Sequence, residues 1–288
     1  MNLELPDGRT LEYVVEGPAD GLPLVFHHGT PSAAVPFPPM TAAAAAHGLR
    51  LVWHSRPGYA GSTPRPGRTV SDDADDVAAL LDALGAERFV TLGWSGGGPH
   101  ALASAAMLPR RCVAAGTIAG VAPYAAEGLD WFAGMGQENL DEFGAALAGG
   151  PELTAYLEKE AAALAGVTGA DVAAALGDLV TDVDKRALTG DFAEHLAENF
   201  RLSVSTGIAG WRDDDLAFVA DWGFPLDRFD VPVAIWQGEQ DRMVPFDHGR
   251  WLAAHVAGAS VHLEPAEGHL SLIDKFESIV ADLARLGG

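Results

Sequence analysis

The stretch Glu87–Met107, ERFVTLGWSGGGPHALASAAM, decides how the rest of this chain is read. A β-branched apolar run ends in Gly93-Trp94-Ser95-Gly96-Gly97, and an alanine-rich helical pattern starting near Pro99 follows. This is G-x-S-x-G between a strand and a helix. Small residues two places either side of the serine allow a strained turn to pack against both elements. A serine on a plain helix or strand face needs none of this. Ser95 is therefore read as displayed at the carboxyl end of a central strand, where open parallel sheets hold their ligands.

Outward from that corner, strand-like and helix-like runs alternate. LEL, the turn Pro6-Asp7-Gly8 and TLEYVVEG predict an opening hairpin. PLVFHHG, LRLVWHS, RFVTLGW and CVAAGTIAGVAP read as buried strands. Between them, MTAAAAAHG and SDDADDVAALLDALG read as helices, the second capped by Ser71 or Asp72. The alternation predicts parallel βαβ units and an α/β fold, a mostly parallel central sheet with helices on both faces. From Pro123 to Arg228 strands vanish and helical patterns follow one another, with Pro151 suited to a first turn. The alternation resumes with VPVAIWQGEQD, DHGRWLAAHV, SVHLEPA and SLIDKFESIVADLARL. The chain is accordingly divided into a core, residues 1–122 and 229–288, and an inserted all-helical cap, residues 123–228.

Charge bounds the partners. The chain of 288 residues carries 40 acidic and 18 basic side chains, a net −22. Between Pro123 and Asp230 lie 21 acidic and 6 basic residues, so most of the surplus sits in the helical insert. Phosphates would be repelled, which argues against nucleic-acid and anionic-membrane partners and leaves a small-molecule substrate. One cysteine, Cys112, excludes an intrachain disulfide or a cysteine metal cluster. The N-terminal MNLELPDGRT has no basic n-region and no apolar h-region, so a cytoplasmic location is expected.

A serine hydroxyl is a poor nucleophile until an oriented base accepts its proton. In the order Ser…Asp…His, the acid should follow a late strand and the base the last one. Asp241 stands just past VPVAIWQGEQ, and His269 stands past SVHLEPAEG at the head of the final helix. HHGTPS, SRPGYAGST, GWSGGGPH, GEQDRMVP and EGHLS, in this order, resemble the α/β-hydrolase superfamily over essentially the whole chain. Among its branches, the chain resembles the bacterial esterases, haloperoxidase-like hydrolases and proline-iminopeptidase-like enzymes that carry a helical cap. The resemblance implies Ser95 as nucleophile, His269 as base then acid, and Asp241 as the carboxylate orienting the imidazole. It implies an oxyanion site from the backbone N–H groups of Gly96 and Thr30; Pro31 has no N–H to give. It implies no cofactor.

The activity expected is hydrolysis of a small or medium carboxylic ester through an acyl-enzyme. Alternatives are an iminopeptidase-like aminopeptidase, an acyltransferase or perhydrolase using the same three residues, and a non-catalytic binding protein. An aminopeptidase would need a cap carboxylate facing the pocket, and that branch shows HGGPG where this chain has HGTPS. Serine at the corner argues against dehalogenase and epoxide-opening chemistry.

Trp94, His28 and His54 are expected to line the pocket, with two or three of the nine tryptophans and phenylalanines of the cap. His27 and His28 are assigned to holding the loop, and His248, opening a helix, to the surface. Asp213-Asp214-Asp215 reads as a solvated face, and no metal-ligand spacing is present.

Overall fold

A computed structural model describes residues 1–288. Eight strands form one sheet in the order β1-β2-β4-β3-β5-β6-β7-β8. They are β1 (Asn2–Glu4), β2 (Thr10–Glu16), β3 (Leu22–His27), β4 (Leu49–His54), β5 (Phe89–Trp94), β6 (Cys112–Ile118), β7 (Val233–Gly238) and β8 (Ser260–Glu264). The opening hairpin β1–β2 is antiparallel and β2 joins β4 antiparallel. Every other pairing is parallel. This is the α/β-hydrolase fold that the motif order implied.

Core helices are α1 (Pro38–Ala46), α2 (Asp73–Ala83), α3 (Gly97–Met107), α10 (Phe246–His255) and α11 (Phe276–Gly287). Strand residues alternate between the two faces of the sheet. Leu24, Phe26, Leu92 and Trp236 pack with α1 and α11, whose Phe276, Ile279, Val280 and Leu283 recur at helical spacing. Val25, Val52, Phe89 and Ile235 pack on the other face with α2, α3 and α10. The cap expected for α2 does not form. Asp72 Oδ2 accepts the Thr69 N–H at 2.7 Å instead, and Ser71 Oγ shares a hydrogen bond with Thr69 Oγ1 at 3.0 Å.

Between β6 and β7 the chain forms α4 (Gln137–Ala148), α5 (Gly150–Leu164), α6 (Val172–Ala175), α7 (Asp182–Ala187), α8 (Gly190–Ser203) and α9 (Ala209–Val219), with no strand. The sequence patterns had not separated out α7 and α9. These helices are not a detached unit. Their apolar cluster, with Trp131, Phe143, Trp211 and Phe218, continues into Tyr59, Val70, Ala103 and Val121 of the sheet region. No helix is long and apolar enough to cross a membrane.

Candidate active site

The parallel register aligns the strand ends that carry the site. His27 pairs with Gly93, Trp94 with Ile118, and Ile118 with Trp236, so the loops after β3, β5 and β7 open on one edge. Ser95 sits at φ +57°, in the left-handed region a serine rarely adopts, and its N–H donates to Ile118 O at 2.8 Å. The flanking glycines make the turn feasible. A Cβ on Gly93 would collide with the Gly97 carbonyl, and one on Gly97 with the His27 carbonyl. The same crowding places the β3 loop against the serine. A Cβ built on Gly29 would lie 3.5 Å from that of Ser95, and one on Gly96 2.6 Å from Thr30 Oγ1. The Thr30 side chain thus stands against Gly96, and the backbone N–H of neither residue has an acceptor within the protein.

Asp241 and His269 meet directly. Asp241 Oδ2 accepts from His269 Nδ1 at 2.8 Å and from Gln237 Nε2 at 3.1 Å, while Oδ1 accepts the N–H groups of Met243 and Val244, each at 2.8 Å. A carboxylate held by four donors cannot turn. Because it can only accept, His269 Nδ1 carries the proton and Nε2 keeps its lone pair. Burial disfavours the imidazolium, but the charge and hydrogen bond of Asp241, with Asp184 behind, outweigh it and raise His269 above its ordinary value.

Ser95, Gly96, Thr30, His28, Trp94 and His269 all line one cavity of about 220 Å³. Phe143, Phe192, Phe200, Trp211 and Phe218 line it as well, more cap aromatics than the two or three expected. His54 does not. It is fully buried behind the loop, with Nε2 3.3 Å from Asp73 Oδ1, because a histidine ending a parallel strand is covered by the next crossover helix. His27, on the other oxygen of Asp73 at 2.9 Å, is also enclosed, and burial lowers it to about 4. His28 holds its loop as expected. Its Nε2 accepts the Arg56 N–H at 3.3 Å, so Nδ1 donates to Gly29 O at 2.8 Å. His248 is not on the surface: it is buried, with Nδ1 accepting from the Ala122 N–H and Nε2 donating to Trp131 O at 2.9 Å.

The largest correction concerns Asp213-Asp214-Asp215, which lies inside the protein. Asp214 is fully buried on α9 and gathers Arg56 and Arg68 at 2.6 Å each, Tyr59 Oη at 2.9 Å and Thr30 Oγ1 at 2.9 Å. Burial works against its charge, but the two guanidinium groups outweigh it and hold the carboxyl well below the usual carboxylate range. Arg56 in turn donates to His28 O at 2.6 Å and Gly29 O at 3.0 Å, so Asp214 anchors the whole β3 loop. Asp184 of α7 does the same for the other side of the site. Its Oδ1 accepts the N–H groups of Leu270 at 2.7 Å and Ser271 at 3.1 Å, just past His269.

These two acids and Gln237 had escaped sequence reasoning. The available signals were slight: Thr181-x-x-Asp184 has the pattern of a capping box, and the acid triplet of α9 is flanked by Trp211 and Phe218.

Comparison with known proteins agrees with this architecture. Residues 23–276 match the alpha/beta hydrolase fold family. The chain is 31% identical to a non-heme chloroperoxidase of Streptomyces lividans over 83% of its own length and 82% of that protein's. It is 27% identical to a bifunctional esterase/perhydrolase of Acinetobacter calcoaceticus, over 96% and 95%. Among solved structures, an esterase from a Rhodococcus species superposes with a TM-score of 0.68 at 23% identity, covering 100% of this chain and 99% of that one. The chain belongs to the α/β-hydrolase family.

Proposed function

We propose that this α/β-type hydrolase cleaves small or medium carboxylic esters through an acyl-enzyme on Ser95. The observation that carries the reading is the fixed Asp241–His269 pair, with its free Nε2, sharing a cavity with a serine held at φ +57°. In this reading, His269 Nε2 takes the Ser95 proton as Oγ attacks the carbonyl carbon. The oxyanion that forms is bound by the N–H groups of Thr30 and Gly96. Collapse expels the alcohol, which receives the proton from His269. Water, deprotonated by the same nitrogen, then attacks the acyl-enzyme and frees Ser95. The helices of residues 123–228 act as a cap, supplying the aromatic wall of the acyl pocket.

The test is initial-rate hydrolysis of a p-nitrophenyl ester chain-length series by the wild type and Ser95→Ala. A loss of at least roughly 10³-fold in kcat supports the reading; near-normal turnover in the variant overturns it. A second reading, perhydrolysis, is favoured by the relatives named chloroperoxidase and esterase/perhydrolase. Hydrogen peroxide would replace water in the second half-reaction and leave as a peroxy acid. Peroxy acid formed from ethyl acetate and peroxide, and absent with Ser95→Ala, would establish it.

A further inference from the structure

The cavity that holds Ser95 has an acidic end. Glu138 and Glu142 of α4, Glu160 of α5 and Asp215 of α9 all line it. Three of these helices therefore direct carboxylates into a space otherwise walled by aromatic and aliphatic side chains. Asp215 is fully buried, and neither of its oxygens has a donor from the protein. Its neighbour Asp214 consumes the nearby cations: Arg68 and Arg56 are both bound to it at 2.6 Å. No lysine or arginine lines the cavity; Lys159 pairs with Glu160 and Arg212 with Asp213. Glu142 has one oxygen bonded by Trp211 Nε1 at 2.8 Å and makes no ion pair.

Leaving a carboxylate buried and unpaired is costly, because the charge gives up its hydration and gains no partner in exchange. The protein meets that cost in the absence of a ligand by keeping a proton on the pair. Burial, together with Glu142 and Asp214, pushes Asp215 well above its ordinary value, and burial raises Glu142 to about 7. Two carboxyls that face an active-site cavity, both raised above their ordinary values, lack only a cation.

We infer that this end of the cavity is a subsite for a protonated amine, so that the esters the enzyme favours carry an ammonium group. The inference rests on the proposed ester hydrolysis at Ser95. An ammonium has three N–H donors and can serve both Asp215 and Glu142, and Trp211, Phe143 and Tyr156, which line the same cavity, supply rings of the kind that attract a cation. The distance to the nucleophile is short. Phe218, three residues beyond Asp215 on the same face of α9, touches the elbow; a Cβ on Gly96 would lie 2.9 Å from its Cζ. Asp215 is thus one helical turn from the residue that covers the elbow, with roughly 5–6 Å between the two Cβ atoms. A molecule with its carbonyl at Ser95 and its amine a few bonds away would span both.

The deciding experiment compares kcat/KM for ethyl hexanoate and its 2-amino, 3-amino and 6-amino derivatives in the wild type, Asp215→Asn and Glu142→Gln. Calorimetric titration of each full-length protein with hexylammonium, and with hexan-1-ol as the neutral control, accompanies it. The wild type should prefer at least one amino ester to the neutral ester by about 10–100-fold, and that ratio should collapse in both variants. No preference in the wild type, or a ratio unchanged by the variants, overturns the subsite. If no ester at all is turned over, the proposed hydrolysis fails and the titration decides the subsite alone. Saturable binding of hexylammonium but not hexanol, at least tenfold weaker in the variants, sustains it. Absence of such binding overturns it.

Discussion

Asp214, on a helix inserted between β6 and β7, accepts a hydrogen bond from the hydroxyl of Thr30 at 2.9 Å. The residue whose N–H is proposed to stabilise the oxyanion is therefore held in place by a side chain 184 positions later in the chain. Its effect on rate should be measurable apart from its effect on stability. In Asp214→Asn, Arg56 and Arg68 lose their counter-charge, and Tm should fall by roughly 6–15 °C. At a temperature where the variant is folded, kcat should still fall roughly 10–100-fold with KM little changed. Thr30→Val, which keeps the N–H and removes only the hydroxyl, should lose roughly 3–10-fold in kcat and little in Tm. Equal loss in KM and kcat for both variants would contradict a positioning role.

Asp184 offers a second handle. Asn at that position keeps one acceptor for the N–H groups of Leu270 and Ser271 but loses the charge behind His269. We expect kcat to fall by roughly tenfold, and the acid limb of the kcat/KM profile to move to lower pH because Asp184 helps to raise the imidazole. An unmoved limb would separate Asp184 from the electrostatics of the base.

The acid limb of the wild type should itself lie above pH 6.5, since His269 is raised above that ordinary value and must be neutral to act as the proposed base. Asp241→Asn should lower kcat by roughly 10³–10⁴-fold and shift the limb downward. The linkage to folding has the matching sign. A histidine raised in the folded state contributes stability that is fully present below its unfolded value and is lost as pH rises through the folded one. Thermal melts of wild type and Asp241→Asn should therefore differ most at pH 5–6 and converge at alkaline pH.

The carboxyl pair in the cavity predicts a pH dependence of its own. Glu142 is raised from 4.5 to about 7, so the folded state holds its proton more tightly than the unfolded chain. That contribution to stability is complete below pH 4.5 and is lost as pH rises through 7. Glu142→Gln, which removes the ionisation while keeping the shape, should raise Tm by about 3–8 °C at pH 8 and change it little at pH 5. A uniform shift at both values would count against a retained proton.

Much of the frame could be read from the chain because its signals are local. The strand-to-helix corner at Ser95, the two glycines beside it, and the positions of Asp241 and His269 just past late strands all follow from short-range patterns. What escaped reading depends on partners distant in sequence. Three consecutive aspartates look solvated until Arg56 and Arg68 arrive from about 150 residues away to neutralise the middle one. His54 and His248 read as pocket and surface because nothing near them in sequence reveals the Asp73 carboxylate or the Trp131 carbonyl that encloses each ring. The helical patterns between Pro123 and Arg228 did not separate out α7, which at six residues is too short to show a period.

The inserted helices hold both banks of the site, the Thr30 loop through Asp214 and the His269 segment through Asp184. On the proposed mechanism, specificity and rate are thus not separable modules in this protein. A graft that exchanges the segment between Ile118 and Val233 to recognise a new molecule would also remove the two anchors that keep the chemical machinery in register. A chimera would need an acid restored at both places before its new pocket could be put to use.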